Sequence, residues 1–313
     1  MIEIHWRGGR PGADGPFYAL VIIGLGLLAG LAGFIVRYAP AVAERATDAC
    51  LTVAESAATM GTALIVPWSM TSIIVGFAAV TVLWQLAATR LMMRRLLDNR
   101  LAPPACLLEA AQSADLSDID FVADERAFAF CYGVLKPRVC VSSGLVDLLS
   151  PVELHAVLLH ERHHLMSRDP LKVLTSRALG TGLFFLPAAH DLRDRYLVGK
   201  EIAADASAAE AVNSELPLAS ALLKLLCQGD QGLPSTVAAI GAFNVTEERI
   251  QRILQGGAGG RACVEGRRLL ASAVVVAAIF AASYLPLALN NASAMPGECS
   301  QVSIASNLSG NTR

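Results

Sequence analysis

The sequence predicts a mostly helical α+β domain with a small β-sheet, embedded between transmembrane helices. Three observations predict it. The 313-residue chain is 54% hydrophobic and 17% charged with a mean hydropathy of +0.50, too apolar for an ordinary soluble domain. Uncharged runs long enough to cross a bilayer lie toward both ends. Between them, short β-branched and aromatic runs lead into a well-capped helix that carries clustered histidines. The formal net charge of −2 leaves no footprint for direct nucleic-acid binding.

Taken in order, Phe17 to Val36 is an apolar run long enough, at about 1.5 Å per residue, to span a hydrocarbon core of about 30 Å. Ala41-Val42-Ala43 resembles a leader cleavage site, but the run exceeds the roughly 7 to 15 residues of a signal-peptide core, so it reads as a retained span. The second span is expected at about 70–89, with Pro67 starting or kinking its helix and Trp84 near one interface. The third is expected at about 269–289. Arg90, Arg94, Arg95 and Arg100 follow the second span, and Arg261, Arg267 and Arg268 precede the third. By the positive-inside rule the intervening segment faces the cytoplasm, while the loop around 40–55 and the Ser/Asn-rich tail lie outside. The expected organisation is an anchor (1–90), a cytoplasmic domain (91–260), and a last span with its extracytoplasmic tail (261–313).

Within the domain, Asp118 to Val122, Ala127 to Tyr132 and Pro137 to Ser142 read as strands, the last two joined by a turn through Val134-Leu135-Lys136-Pro137. Ser150-Pro151-x-Glu153 then has the N-cap, first-turn proline and capping-box glutamate of a helix start. That helix contains His160-Glu161-Arg162-His163-His164. On a 3.6-residue period His160 and His164 stack one turn apart and can reach one zinc ion, with Glu161 beside them as general base. A chance His-Glu-x-x-His arises on the order of once in a hundred chains of this length, so the context decides. Downstream, Lys200-Glu201-Ile202-Ala203-Ala204-Asp205 reads as helix, offering Glu201 as third ligand and Asp205, one turn on, as the acceptor that orients a ligand histidine. Alone these two acids would be a solvated helix face; beside the histidine motif they complete a site for one Zn2+ with a position left open for water. Tyr196, Arg195 and Lys200 each precede Glu201 closely enough to offer a donor to a developing oxyanion.

The run AFAFCYGVLKPRVCVSSGLVDLLSPVELHAVLLHERHHLMSRDPL, followed by KEIAADASA, resembles the BlaR/MecR family of bacterial membrane zinc metallopeptidases, whose core is similar to that of the HtpX-like peptidases. The resemblance covers about residues 120 to 255. It implies a zincin-like α+β fold, His160, His164 and Glu201 as zinc ligands, Glu161 as the base, and a cell-membrane peptidase acting on a protein substrate. It also implies that the strand Phe128, Ala129, Phe130, Cys131, Tyr132 pairs with the substrate backbone, although an ordinary core hairpin reads equally well. Lys200 stands where family members often carry arginine. In the family pattern an extracytoplasmic sensor triggers cleavage of a transcriptional repressor or of the protease itself. Only a short tail follows the last span here, so direct β-lactam sensing is not expected. Regulatory proteolysis is the first expectation. The alternatives are HtpX-like quality control of misfolded membrane proteins and a catalytically silent sensor or scaffold, against which the intact Glu161 argues.

The uncharged stretch Ala178 to His190 is too short to cross as one helix. A single crossing there would also put Glu201 across the membrane from His160 and His164. A shallow dip or interfacial docking is therefore expected. Leu216 to Leu226 and Thr246 to Leu254 read as helices, and 256–260 as a flexible glycine linker. Cys106, Cys131, Cys140, Cys227 and Cys263 fall on the reducing side and are expected free, whereas Cys50 and Cys299 fall outside, where a disulfide can form. His5, His155, His163 and His190 are expected to be structural or solvated.

Overall fold

The computed structural model describes residues 13–48, 54–227 and 266–293. The helix expected at 246–254, the glycine linker, His5, Cys263 and the Cys50–Cys299 pair lie outside them. The described residues are mostly helical with one four-stranded mixed sheet. Contacts divide the chain into two units, residues 1–30 with 70–275 and residues 31–69 with 276–313.

Three helices are long and apolar enough to cross a membrane: α1 (Gly15–Asp48), α2 (Ala54–Leu97) and α9 (Gly266–Ser293), over Gly15–Pro40, Leu64–Leu97 and Gly266–Leu285 respectively. They contain the expected stretches 17–36, 70–89 and 269–289. Pro67 lies inside α2, the second of its two expected placements, since a single proline removes one ladder bond and an apolar setting leaves the backbone no better partner than the rest of the helix. One detail differs from expectation: residues 40–48, expected as loop, continue α1. In the smaller unit Phe34 and Tyr38 meet Tyr284 edge-on, with ring centroids 4.8 and 5.8 Å apart.

In the larger unit, β1 (Arg100–Leu101) and α3 (Ala105–Ser113) precede β2 (Ile119–Val122), β3 (Ala129–Tyr132) and β4 (Arg138–Ser142). The sheet order is β1-β2-β4-β3, with β2 and β4 parallel and the outer pairs antiparallel. The turn between β3 and β4 needs Gly133, whose φ of 90° no side chain adopts comfortably. β1 has no sequence signal because it is only two residues long; the ion pair from Arg100 to buried Asp120 on β2 holds it. Arg138 also binds Asp120, through Nε at 2.7 Å and Nη2 at 3.1 Å, and these arginines hold the Asp120 carboxyl low against the effect of burial.

After a short α4 (Ser143–Leu148), α5 (Pro151–Met166) forms the centre of the unit, packing on α3, β3 and the two helices that follow α6 (Asp169–Gly182), namely α7 (Pro187–Val212) and α8 (Leu216–Cys227). Leu154, Val157 and Leu158 of α5 are fully buried among Leu107, Val139, Leu145 and Leu222. The stretch 178–190 is not one short helix. It is the end of α6, a turn at Leu183–Leu186 and the start of α7, where Pro187 takes the first helical position that suits its fixed φ, and His190 Nε2 lies 3.0 Å from the Phe184 carbonyl across the turn. The hairpin so formed packs by Leu179 and Leu183 on Gly24 of α1, by Gly182 on Ile74 of α2, and by the Ala188 N–H, which donates to Ser272 Oγ of α9 at 3.0 Å.

Glu153 shows how α5 is anchored. Its Oε2 accepts from the Ser150 N–H at 2.8 Å and from Lys224 Nζ at 2.6 Å, and its Oε1 from Ser220 Oγ at 2.6 Å, tying the start of α5 to α8. Burial opposes the charge, but these donors outweigh it and hold the carboxyl at about 2. A folded-state value below the unfolded one means stability present at neutral pH and lost as pH falls. Glu153→Gln is therefore expected to cost about 2 kcal/mol at pH 7. In thermal melts the gap from wild type closes as pH drops through the window from 4.5 to about 2.

Candidate metal centre

The α5 helix buries groups that a core normally excludes: His160 and Glu161 are fully buried and His164 nearly so. Each histidine has a carboxylate behind it. His160 Nδ1 lies 3.0 Å from Asp205 Oδ1, and His164 Nδ1 lies 2.6 Å from Asp169 Oδ2. Asp205 and Glu201 sit one turn apart on α7, both buried, so the expected helix face turns inward onto α5. Asp169 is the residue that sequence reasoning missed. It sits five positions after His164 across a helix break, where Arg168 adopts a left-handed φ of 53° and Pro170 restarts the chain as α6. No periodicity reaches across such a break; the only signal was the Arg168-Asp169-Pro170 run itself.

His164 Nδ1 donates to Asp169, and the Asp205 carboxylate beside His160 Nδ1 favours a proton there too, an arrangement that turns both Nε2 atoms inward. Those atoms lie 3.0 Å apart, and Glu201 brings Oε2 to 3.5 Å from His160 Nε2 and Oε1 to 3.8 Å from His164 Nε2. The donors of all three residues lie within 4.8 Å of one another. Ligand atoms about 2.0–2.2 Å from a tetrahedral zinc sit roughly 3.4 Å apart, so the triangle fits that ion. Two ring nitrogens that both present lone pairs at 3.0 Å repel, and a cation between them would remove the repulsion. Burial, then the Lys200 charge, lower the His164 imidazole to about 4 against the opposing pull of Glu201 and Asp169, so it is neutral at pH 7, as a ligand must be.

The other candidates separate by position. Lys200 is buried with its Nζ against Glu201 Oε1. Tyr196 is fully buried; its hydroxyl is 3.4 Å from Asp169 Oδ1 and its ring 5.3 Å from Phe17 of α1. Burial and the nearby carboxylates raise its pKa far beyond the ordinary value, so it stays a neutral donor. Arg195 is not brought to the triangle: about 120° around α7 from Glu201, it binds Asp191 Oδ2 at 3.1 Å. His163 is half-buried and kept neutral by burial, and His155 Nδ1 meets the Ala110 carbonyl at 3.4 Å.

β3 is an edge strand, paired only with β4 among the described residues, and it lies against α5. Ala129 belongs to the core around α5, while Phe128, Phe130 and Tyr132 pack with Met93 and Leu96 at the end of α2. Cys131 alternates onto the α5 side; burial and the charges of Glu161 and Asp169 push its thiol well up, which leaves it inert. The described cysteines 106, 131, 140 and 227 are free.

The family model described as BlaR1 peptidase M56 matches residues 34–253, a span that takes in β3, α5 and α7. The chain belongs to the BlaR1 peptidase M56 family. No curated protein matches it. Membership makes the chain a peptidase, and the three long apolar helices make it a membrane protein of that family.

If the carboxylates behind the imidazoles hold the ligands in place, Asp169→Ala and Asp205→Ala should each weaken zinc binding about 10- to 100-fold. Competition against a chromophoric chelator reads this out, and circular dichroism should show the helices of both variants intact.

Proposed function

We propose that this M56 peptidase is a multi-pass zinc endopeptidase of the bacterial cell membrane, with its active site on the cytoplasmic side and its tail outside. His160, His164 and Glu201 would hold one Zn2+, with Asp205 and Asp169 orienting the imidazoles. The observation that carries the reading is the triangle of buried donors, with Glu161, the residue after His160, fully buried on the same helix. A zinc ion held there supplies Lewis acidity toward water and toward a peptide carbonyl.

The chain's own groups do the rest. Glu161 takes a proton from the attacking water and delivers it to the departing amine. The free edge of β3 pairs with the substrate backbone, which aligns a scissile bond over α5 without reading much side-chain sequence. Lys200 and Tyr196, both buried beside the ligand shell, are the remaining donors for the oxyanion. Regulatory cleavage, of a repressor or of the protease itself, suits a β3 strand whose aromatic face rests on the end of a membrane helix, where a stimulus acting on that helix reaches the substrate edge.

Metal content and cleavage of unfolded casein, measured on the full chain in detergent, test the reading. Wild type is expected to bind about one zinc and cut. Glu161→Gln should keep the metal and lose more than 100-fold in kcat, and Glu201→Ala should lose the metal. Cleavage retained by Glu161→Gln would sink the assignment. Orientation is tested separately: alkaline phosphatase fused after Arg313 should be active, and green fluorescent protein at the same place dark.

A further inference from the structure

We propose that Arg177 of α6 and Arg193 of α7 together bind the phosphate of an anionic phospholipid headgroup. Arg177 is half-buried, and among the described residues no carboxylate or carbonyl meets its guanidinium. Its charged neighbour is another cation. The Arg193 side chain crosses Gly180, one turn beyond Arg177, so closely that a Cβ there would lie 2.8 Å from Arg193 Cδ and 3.4 Å from Nη1. Asp194 occupies Nε at 2.9 Å and Nη2 at 2.8 Å, which leaves Nη1 toward Gly180. Burial and the Arg193 charge push Arg177 below its ordinary pKa, with no acid pulling the other way. With Asp194 pairing only Arg193, the two half-buried guanidiniums keep a net positive charge, which a phosphodiester, with one charge and two oxygens to share, can meet.

Depth in the fold selects a lipid. Lys172 binds Asp14 at 2.7 Å, just before the apolar run of α1 begins, and the hairpin tip packs on Gly24 farther along that run. Arg177 lies five residues beyond Lys172 toward the tip, about 7 Å along α6. Arg193 lies three residues, about 4.5 Å, beyond Tyr196, whose ring stacks on Phe17. Arg193 Nη1 lies against Gly180, eight residues or about 12 Å beyond Lys172, so both guanidiniums sit along the first turns of the α1 apolar run, where a headgroup phosphate is the anion within reach.

The inference rests on the membrane reading. That reading fails on its own if alkaline carbonate, without detergent, strips the protein from membranes. For the site, the full chain in a neutral maltoside is titrated with phosphatidylglycerol, phosphatidylcholine or inorganic phosphate, with bound lipid counted by native mass spectrometry and thermal midpoints recorded. Phosphatidylglycerol is expected to bind about one to one and raise the midpoint, while the other two do not. Arg177→Gln and Arg193→Gln should each bind it about fivefold more weakly. Arg177→Lys keeps the charge and should retain binding within about twofold, and Arg37→Gln, elsewhere on α1, should match wild type. Equal binding of both lipids, or unchanged phosphatidylglycerol affinity in both glutamine variants, overturns the proposal. A midpoint raised as much by inorganic phosphate reassigns the site to a soluble anion and overturns the lipid.

Discussion

Two imidazole lone pairs held 3.0 Å apart are the constraint on which the larger unit is built. Such an arrangement does not persist without support, and the support is visible: one carboxylate behind each ring and a third carboxylate closing the triangle. The three supports come from two stretches of chain. Asp169 arrives through a left-handed break immediately after α5, and Glu201 and Asp205 arrive on α7 only because the α6–α7 hairpin brings the chain back. The hairpin is thus as necessary to the candidate metal centre as the histidine motif. Its turn at Leu183–Leu186 resolves the topological problem that a single crossing would create.

The same hairpin ties the centre to the apolar helices. Tyr196 touches Asp169 on one side and Phe17 of α1 on the other, and Asp169 in turn meets His164, so the Phe17 ring at the start of an apolar helix is linked to that imidazole through two side chains. On the far side of α5, the edge strand β3 rests its aromatic face on Met93 and Leu96 of α2. Both halves of the proposed site, the candidate ligand set and the β3 edge, are therefore braced by helices long and apolar enough to cross a membrane. A stimulus that shifts either helix has a short packed route to the chemistry.

The buried charge explains why the domain wraps α5 so completely. Glu161, Glu201, Asp205, Asp169 and Lys200 are all removed from water around the imidazoles of His160 and His164, a set in which acids outnumber the lysine. A core of that sign is costly by itself and becomes favourable around a divalent cation, so metal binding and the stability of this unit are expected to be linked. The apolar cladding of Leu154, Val157 and Leu158 against α3, α8 and the sheet keeps water from relaxing the electrostatics.

Much of this was legible in the residues because it is local. The capping pattern at Ser150 and Glu153 and the i, i+4 spacings of His160 with His164 and Glu201 with Asp205 are properties of a helix and need no tertiary information. The long apolar runs and the β3–β4 hairpin are equally local, and so was the family. What only the tertiary structure decided depends on chain reversals and on side chains that meet across them. Asp169 behind His164, Lys224 and Ser220 on Glu153, the division of 178–190 into a hairpin, and the turning of Lys200 toward Glu201 and of Arg195 away from it are of this kind. The physical reason is that periodicity fixes which face a residue occupies on its own element, whereas the angle at which two elements return to each other is set by packing between residues far apart in the chain.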